Sequence, residues 1–251
     1  VEIKAGSRAE RDAGVSVVWT GERGVRYYAH GRPPATSSRN AEAQAAIVTH
    51  QRKRLECARA MYSMRFADED VSEASMSQLR GREGARMKKL YAEHAERTGV
   101  SWNRRSYDPN DFDSGDPINR ALTGANAALY GIAHAVITAL GFIPSLGVIH
   151  NGTDRAFVYD IADLYKADIT IPAAFDAAAN SGFESVSNVR HRVRDKVVEY
   201  RLMEKMVRDL HRLMRTDDDA DSIDVELMLW NELEVIASGI NWAEPEGADS
   251  P

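Results

Sequence analysis

The chain has 251 residues, 43% of them hydrophobic, which is enough for one large domain or for one domain with a smaller piece attached. The single cysteine, Cys57, excludes an internal disulfide framework and fits a reducing compartment, and we expect a buried, inert thiol. The longest apolar run, residues 127–143, is too short and too polar for a bilayer span, and the visible N-terminus has no charged-then-apolar leader. These features predict a globular, cytoplasmic protein without a membrane partner.

Charge is distributed unevenly along the chain. The net charge of −6 at first argues against a polyanionic partner such as DNA. Residues 216–251, however, carry eleven of the 38 acidic residues and no Lys or Arg. Residues 1–215 therefore hold all 32 basic residues against 27 acidic ones, a net charge of +5. The composition indicates a mildly basic body, followed by an acidic tail that we interpret as a solvated extension.

A β-hairpin is predicted near the start of the chain. Residues 15–29 place two β-branched and aromatic runs on either side of a turn at residues 20–24. Two strands alone are unstable in water, so this hairpin must pack on further strands or on the rest of the protein. Residues 31–38 show no periodicity and are rich in Pro, Gly and Ser, which is typical of a linker.

Helical periodicity dominates from residue 41 onward. Asp116 and Pro117 mark one helix start, because Asp caps free amide groups and Pro fits the first turn, and Gly141 marks its end. Helices are predicted over residues 41–66, 75–98, 116–140, 154–166, 172–179 and 184–215, with a final one over 227–236. The sequence predicts a mainly α protein, divided into a β remnant (1–31), a linker (32–40), a helical domain (41–215) and an acidic tail (216–251).

Two aspartates three residues apart, Asp160 and Asp163, share one face of a predicted helix and are surrounded by apolar residues. Such a pair can bind a cation, and buried carboxylates need a partner. The same spacing is also common on exposed helices, where both side chains face water. His150 lies just upstream, where an apolar segment opens into a turn, and can be either a ligand or a hydrogen-bonded structural residue. His134, inside an apolar helix, is interpreted as structural.

An acidic residue, Glu83, stands in a basic helical segment between Gly81 and Gly84. Small neighbours allow another backbone or a ligand to come close. The alternative is an ordinary ion pair with Arg86 on a solvated helix face. Residues 102–107 and 190–196 combine basic residues with aromatic or apolar ones, so that Arg and Lys can follow phosphates and Trp102 can stack on unpaired bases. Solvated charge is the alternative for both segments.

Several segments together resemble one known family. These are QLRGREGAR (78–86), WNRRSYDP (102–109), DPINRAL (116–122), LYG (129–131), IHNG (149–152) and FVYDIADLYK (157–166). In this order and spacing the segments closely resemble the CRISPR-associated Cas1 integrases, in their type I-E branch, over roughly residues 15–215. The chain has no nucleophile elbow, no Walker-type phosphate loop and no paired-cysteine zinc motif.

The resemblance implies a site and a reaction. It makes Glu83, His150 and Asp163 the ligands of Mg²⁺ or Mn²⁺, and Asp160 a nearby aspartate that supports activity. It also implies DNA contacts from Arg80, Arg86, Arg105, Tyr107 and Tyr130. The implied activity is that of a DNA endonuclease and integrase, which joins the 3′-OH ends of a spacer to the CRISPR repeat by transesterification. Asp160 could either orient a ligand or take a proton.

The resemblance further implies an architecture and partners. A small N-terminal β domain, with about sixty residues before residue 1 on domain-size grounds, would precede the helical catalytic domain. A homodimer would act on double-stranded DNA, both pre-spacer and repeat, and the smaller Cas2 protein would bridge it to a second dimer. Two other functions stay open on sequence alone: a catalytically silent DNA-binding or assembly subunit, and a metal hydrolase acting on small phosphoesters.

Overall fold

The structure is a computed structural model that describes residues 17–20, 27–31, 38–66, 69–106, 116–179, 185–215, 228–230 and 235–237. The chain forms two compact units, Val1–Asp218 and Asp219–Pro251. The first unit is mainly helical, as predicted, and the boundary between the units lies close to the predicted start of the acidic tail. None of the described helices combines the length and apolar character that crossing a membrane requires.

An antiparallel hairpin precedes the helices. Its strands, β1 (Val17–Thr20) and β2 (Tyr27–Gly31), pair with Val18 opposite His30, and the register shifts between Trp19 and Thr20. The predicted hairpin is therefore confirmed, with its second strand ending two residues later than expected. Residues 32–37 of the predicted linker lie outside the described residues, and the first helix begins at Arg39.

The helices of the first unit follow in sequence. They are α1 (Arg39–Val48), α2 (Gln51–Arg65), α3 (Met76–Thr98), α4 (Pro117–Ala139), α5 (Ala156–Asp163), α6 (Ile171–Ala179), α7 (Ser185–Glu199) and α8 (Leu202–Met214). A single π-helical turn, Lys166–Thr170, connects α5 to α6. The last residue of α5 and the first residue of this turn are the predicted ligand Asp163 and a lysine, so the irregular turn lies at the candidate site.

Helix α4 is the centre of the core. The Asp116 carboxylate accepts a 2.8 Å hydrogen bond from the amide of Asn119, Pro117 occupies the first turn, and Gly141 (φ 81°) follows the end. Leu122 and Leu129 are fully buried, because α4 packs against α5, α6, α7 and α8. The predicted start and end of this helix are thus confirmed, and the buried helix supplies the rigid base on which the site is built.

Two predicted helices are each broken in two. The helix predicted over residues 41–66 is interrupted between α1 and α2, where His50 Nδ1 accepts a hydrogen bond from the amide of Lys53. The helix predicted over residues 184–215 is interrupted at Arg201, which has φ 46°. Both one-helix predictions were wrong, because neither break contains Gly or Pro, the residues from which a helix end is predicted. At Arg201 the positive φ also carries a steric cost that only tertiary packing can offset.

The described part of the second unit is a small hairpin. Strands β3 (Met228–Trp230) and β4 (Val235–Ala237) pair antiparallel, with Leu229 opposite Ile236. The helix predicted over residues 227–236 was therefore wrong. The β-branched and aromatic residues of this segment favour strands, and the four residues between the two runs allow a reversal. The eleven acidic residues of the tail lie outside the described residues.

Cys57 is a core residue of α2 that packs against the end of α8. Its side chain is 6% exposed, and its Sγ lies 3.8 Å from the carbonyl oxygen of Leu213. Burial raises the pKa of the thiol to about 12, so the thiolate is not formed at neutral pH. The prediction of a buried, inert cysteine is confirmed.

Candidate active site

His150 lies in the loop between α4 and α5, and a buried carboxylate organises this loop. Asp160 is 1% exposed, and its Oδ2 accepts hydrogen bonds from the amides of Val148 (2.6 Å) and Ile149 (3.0 Å). Its Oδ1 accepts from the amide of His150 (3.0 Å) and lies 2.7 Å from His150 Nδ1. Because both oxygens of Asp160 are engaged inside the fold, this aspartate positions the histidine loop and does not face a substrate.

The contact with Asp160 also determines which nitrogen of His150 is available. Nδ1 points at the carboxylate and donates to it, which leaves the Nε2 lone pair for a ligand. The imidazole is 43% exposed, in contrast to the carboxylate behind it. The hydrogen bond to Asp160 raises the pKa of His150, and this effect exceeds the opposing effect of burial. A carboxylate behind one ring nitrogen is an arrangement that metal-binding histidines also have.

Arg54 of α2 holds the same loop from its other side. Its Nε donates to the carbonyl of Val148 at 2.7 Å, and its Nη2 donates to Asn151 Oδ1 at 2.7 Å. Gly147 packs so closely at the base of the loop that an added Cβ would lie 2.8 Å from Ala156 Cβ. The carbonyls are thus fixed by Arg54 and the amides by Asp160, so the backbone that carries His150 has little freedom.

Glu83 of α3 faces α2, where two side chains hold its carboxylate. Tyr62 Oη donates to Glu83 Oε2 at 2.7 Å, and the Arg65 guanidinium forms an ion pair with Oε1. The Arg65 side chain is 8% exposed and lies over the Phe66 ring, 5.2 Å from its centroid. Burial and the Glu83 carboxylate together raise the pKa of Tyr62, so its hydroxyl remains a donor.

The ion pair between Glu83 and Arg86, which was the alternative interpretation of this segment, does not form. Arg86 instead pairs with Glu69 at 3.2 Å, with its guanidinium 4.3 Å from the Phe66 ring centroid. On the solvent side of α3, a Cβ added at Gly81 or Gly84 would meet no atom within 4 Å. The open space that the two glycines predict beside Glu83 is therefore present.

Asp163 ends α5, and its partner is the first residue of the π-helical turn. Lys166 Nζ lies 2.5 Å from Asp163 Oδ1, and the two side chains are 19% and 15% exposed. The ammonium also lies 4.9 Å from the centroid of the Tyr130 ring. Burial lowers the pKa of Lys166, but the Asp163 carboxylate and the Tyr130 hydroxyl outweigh this effect, so the net pKa is raised. Lys166 is therefore a half-buried cation at neutral pH.

Each residue of this ion pair lines a different cavity. One, which we name the Asp163 cavity, has a volume of about 210 Å³ and contains side chains from α2, α3 and α5. The other, the His150 cavity, has a volume of about 390 Å³. The charged residues of the Asp163 cavity are Arg65, Arg86, Lys89, Glu93, Asp163 and Asp168. The polar residues of the His150 cavity are Arg105, Thr123, Asn126, Tyr130, His150, Arg155, Tyr159 and Lys166.

The predicted ligands adjoin these cavities but are not gathered into one cluster. His150 lines the His150 cavity and Asp163 lines the Asp163 cavity. Glu83 is connected to the Asp163 cavity through Arg65. Across the described ranges, no three His, Cys, Asp or Glu side chains are grouped as the ligands of an ion would be. The two carboxylates instead hold Arg65 and Lys166.

The predicted DNA-contacting arginines have different environments. Arg80 is exposed on α3, beside the open surface at Gly81. Arg86 is half-buried in its contact with Glu69. Arg105 lines the His150 cavity, where its Nη2 donates to Thr123 Oγ1 at 2.7 Å. Arg105 is thus the member of the three that lies next to His150.

The predicted aromatic contacts also separate. Tyr130 lines the His150 cavity and meets Tyr159 edge to face, with centroids 4.9 Å apart. Tyr107 lies outside the described residues. Trp102 stacks on Tyr91 with the ring centroids 4.6 Å apart, so one face of its ring is covered by Tyr91 and is not free for a base.

Four residues of the site were missed by sequence reasoning: Arg54, Tyr62, Arg65 and Lys166. Lys166 carried a usable signal, because it stands three residues after Asp163 and such pairs share a helix face. The other three belong to α2 and are far in sequence from the residues that they contact. Only the packing of α2 against α3 and against the His150 loop brings them to the site.

Known proteins resemble this chain over most of its length. The CRISPR-associated endonuclease Cas1 of Clostridium sp. (strain SY8519) is 50% identical over 238 residues, covering 92% of this chain and 78% of the relative. The CRISPR-associated endonuclease Cas1 2 of Thermus thermophilus is 38% identical over 257 residues, covering 98% and 79%. A crystal structure of a TtCas1–DNA complex matches with a TM-score of 0.72 and 42% identity, over 83% of this chain and 78% of that one.

A family model described as CRISPR associated protein Cas1 matches residues 63–208, which is more than half of the chain. This range contains Glu83, His150, Asp160 and Asp163. The family predicted from the motifs is therefore confirmed, whereas its type I-E branch stays a prediction. The chain belongs to the Cas1 family of CRISPR-associated proteins.

Proposed function

We propose that this chain is a divalent-metal-dependent DNA endonuclease and integrase of CRISPR adaptation. The observation that carries the proposal is the pairing of His150 with the buried Asp160, which leaves Nε2 free within electrostatic range of Asp163. The names of the relatives, all CRISPR-associated endonucleases, and the DNA-bound relative support the same reaction class.

The donor set suits Mg²⁺ or Mn²⁺. Glu83 and Asp163 would supply carboxylate oxygens and His150 an imidazole nitrogen, a mixed set with open positions rather than a closed structural zinc site. Each carboxylate already has a cationic partner, Arg65 or Lys166, so a bound ion must share or replace that partner. The residues therefore fit the ion in chemistry, and a rearrangement of side chains completes the set.

The reaction we propose is a transesterification. The 3′-oxygen of a spacer end forms a bond to a phosphorus of the repeat, the bond from that phosphorus to its own 3′-oxygen breaks, and the proton lost by the attacking hydroxyl balances the one gained by the leaving oxygen. A bound divalent ion would withdraw charge from the scissile phosphate. One phosphodiester replaces another, so no energy-rich cofactor is needed. Water as the attacking group would give the endonuclease activity.

The side chains of the His150 cavity would hold the DNA. Arg105, Arg155 and Lys166 give this cavity three cations, which attract phosphates, and Tyr130 and Tyr159 form one of its walls. Asp160 would act through His150, since its own oxygens are fully engaged. From the family resemblance, we extend the proposal to a homodimer that a Cas2 protein bridges to a second dimer.

An integration assay tests the proposal. It combines the protein with the Cas2 partner, a pre-spacer duplex and a supercoiled repeat plasmid, with and without Mn²⁺. We expect His150→Ala to abolish integration and nicking while the fold and duplex binding persist. His191→Ala, at an exposed position on α7, is the matched control and should remain active. Retained Mn²⁺-dependent integration by His150→Ala would exclude the assigned site.

The same assay addresses the alternative of a catalytically silent DNA-binding or assembly subunit. Normal duplex binding by the unaltered protein, with no Mn²⁺ bound and no strand transfer, would establish that alternative. Turnover of a small phosphodiester without any preference for DNA would instead indicate a general metal hydrolase.

A further inference from the structure

The two carboxylates assigned to the metal are neutralised by cations of different mobility. Arg65 is 8% exposed, and its planar guanidinium lies over the Tyr62 and Phe66 rings, 5.5 and 5.2 Å from their centroids. Packing on two rings fixes this side chain beside Glu83. Lys166 has a flexible four-carbon stem that ends in a point charge, so it can change its position without disturbing the core.

Lys166 lines the His150 cavity and pairs with a residue that lines the Asp163 cavity. Its ammonium lies against Asp163, which lines the Asp163 cavity, while Lys166 itself lines the His150 cavity with Arg105 and Arg155. A rotation of its stem would therefore carry the charge from the carboxylate into the cavity that holds His150. Lys166 already lines the His150 cavity, so this movement needs only a change in side-chain torsion angles.

The ammonium occupies the position that an ion on Asp163 would need. Mg²⁺ binds carboxylate oxygens at roughly 2.0–2.1 Å. Lys166 Nζ lies 2.5 Å from Asp163 Oδ1, so an ion that approached this oxygen from the same side would overlap the ammonium. Two cations at such a separation repel strongly in a half-buried site. One of them must leave Oδ1 when the other is bound.

We propose that Lys166 is a built-in counterion of Asp163 that a divalent ion displaces, and that the displaced ammonium turns into the His150 cavity to hold a DNA phosphate. This inference rests on the proposed function and adds to it a coupling between metal binding and DNA binding. Metal binding would release Lys166 from Asp163, so that its ammonium could bind a phosphate together with Arg105 and Arg155, and a phosphate in that cavity would in turn keep Lys166 away from Asp163. Metal and DNA would then strengthen each other's binding by the same factor, as linkage requires.

The test measures Mn²⁺ affinity, not activity, by titrating free Mn²⁺ through its electron paramagnetic resonance signal with and without a DNA duplex. The unaltered protein should bind Mn²⁺ about 5-fold or more tightly when the duplex is present. Without DNA, Lys166→Met should bind Mn²⁺ more tightly than the unaltered protein, because the competing cation is gone, and the duplex should add little. Lys166→Arg, which can hold a carboxylate through two parallel hydrogen bonds, should bind Mn²⁺ more weakly than the unaltered protein.

Lys89→Met is the matched control, because Lys89 also lines the Asp163 cavity but is 78% exposed and pairs with Glu93. Its Mn²⁺ affinity and its coupling to DNA should be unchanged. Near-ultraviolet circular dichroism identifies any misfolded variant, and Lys166→Gln provides a second uncharged side chain.

Equal or weaker Mn²⁺ binding by natively folded Lys166→Met and Lys166→Gln, or full coupling to DNA in either, would overturn the inference. If the unaltered protein nicks DNA with Mn²⁺ while this order of affinities is absent, only the counterion role fails. If the unaltered protein binds no Mn²⁺, the proposed function fails with it.

Discussion

The buried carboxylate of Asp160 fixes both the ring and the backbone of His150. The ring nitrogen lies 2.7 Å from Oδ1, and the amide of His150 donates to that same oxygen at 3.0 Å. Imidazole orientation and loop conformation therefore depend on one side chain. A change at Asp160 is expected to alter stability and ligand binding together, which separates it from changes on the solvent side of the site.

Asp160→Asn replaces an acceptor oxygen with a donor group while keeping the size of the side chain. Because the carboxylate accepts from three backbone amides, the new NH₂ must face at least one donor, and we expect a loss of about 1–3 kcal/mol in the free energy of unfolding. Mn²⁺ affinity should fall by about 10–100-fold. Urea unfolding and Mn²⁺ titration check both effects.

Asp154→Asn is the control for this change, since its side chain is 66% exposed on the same segment. Both measurements should match the unaltered protein. Full Mn²⁺ affinity in Asp160→Asn would show that His150 does not depend on its carboxylate partner.

Arg54→Met removes the clamp on the carbonyl side of the His150 loop. The variant keeps the aliphatic stem but loses the bonds to Val148 and Asn151, so we expect faster amide exchange in the loop and weaker Mn²⁺ binding. Arg52→Met is the matched control, because Arg52 is on the same helix, is 84% exposed and pairs with Glu56 one turn away. Equal exchange rates in the two variants would contradict the clamp.

Gly147→Ala and Gly84→Ala should change stability in opposite directions. A Cβ at Gly147 would lie 2.8 Å from Ala156 Cβ, so the loop must shift and the free energy of unfolding should fall. A Cβ at Gly84 of α3 meets nothing within 4 Å, and Ala there should stabilise the helix by about 0.5–1 kcal/mol. Thermal unfolding of the two variants measures whether each change raises or lowers stability. A stabilised Gly147→Ala variant would show that the loop is not tightly packed.

His94 of α3 should make stability depend on pH. Its ring stacks on Phe175 and its Nδ1 accepts from Arg97 at 3.3 Å, so protonation would remove an acceptor. Burial and the Arg97 guanidinium lower the pKa of His94, although Asp176 partly opposes them. The remaining charged groups that influence it are Glu93 and Lys196.

The sign of the His94 effect follows from proton binding. Below the ordinary histidine pKa of about 6.5, the unfolded chain binds the proton more readily than the folded one. The contribution of neutral His94 to the free energy of unfolding is therefore present above that pH and is lost as the pH falls below it. His94→Gln, which does not titrate, should lose less stability between about pH 7.5 and pH 5.5 than the unaltered protein. His191→Gln, at an exposed position, should keep the original slope. An unchanged slope in His94→Gln would exclude His94 as the source.

The sequence predicted those features that depend on neighbouring residues. Asp116, Pro117 and Gly141 marked α4 because a cap, a first-turn proline and a terminal glycine act locally. The breaks at His50 and Arg201 carried no such marker, and the final hairpin was mistaken for a helix because a short apolar run fits both periods.

The candidate site was predictable as a set of residues but not as a set of contacts. His150 and Asp160 are ten residues apart, and the sequence places His150 just upstream of the two aspartates. The partner of Glu83 was not predictable, because Arg65 reaches it from another helix, whereas Arg86 was the near neighbour in sequence. Tertiary packing decides between such partners, and periodicity does not carry that information.

Glu83 and the His150 loop are both held by a helix that is distant along the chain. Glu83 is held by Arg65 of α2, the His150 loop by Arg54 of the same helix, and the loop lies against α5. A nascent or misfolded copy therefore contains every reactive group but no working arrangement of them. We therefore expect the proposed DNA cleavage to be confined to correctly folded molecules, because a chain that has not folded cannot assemble the site.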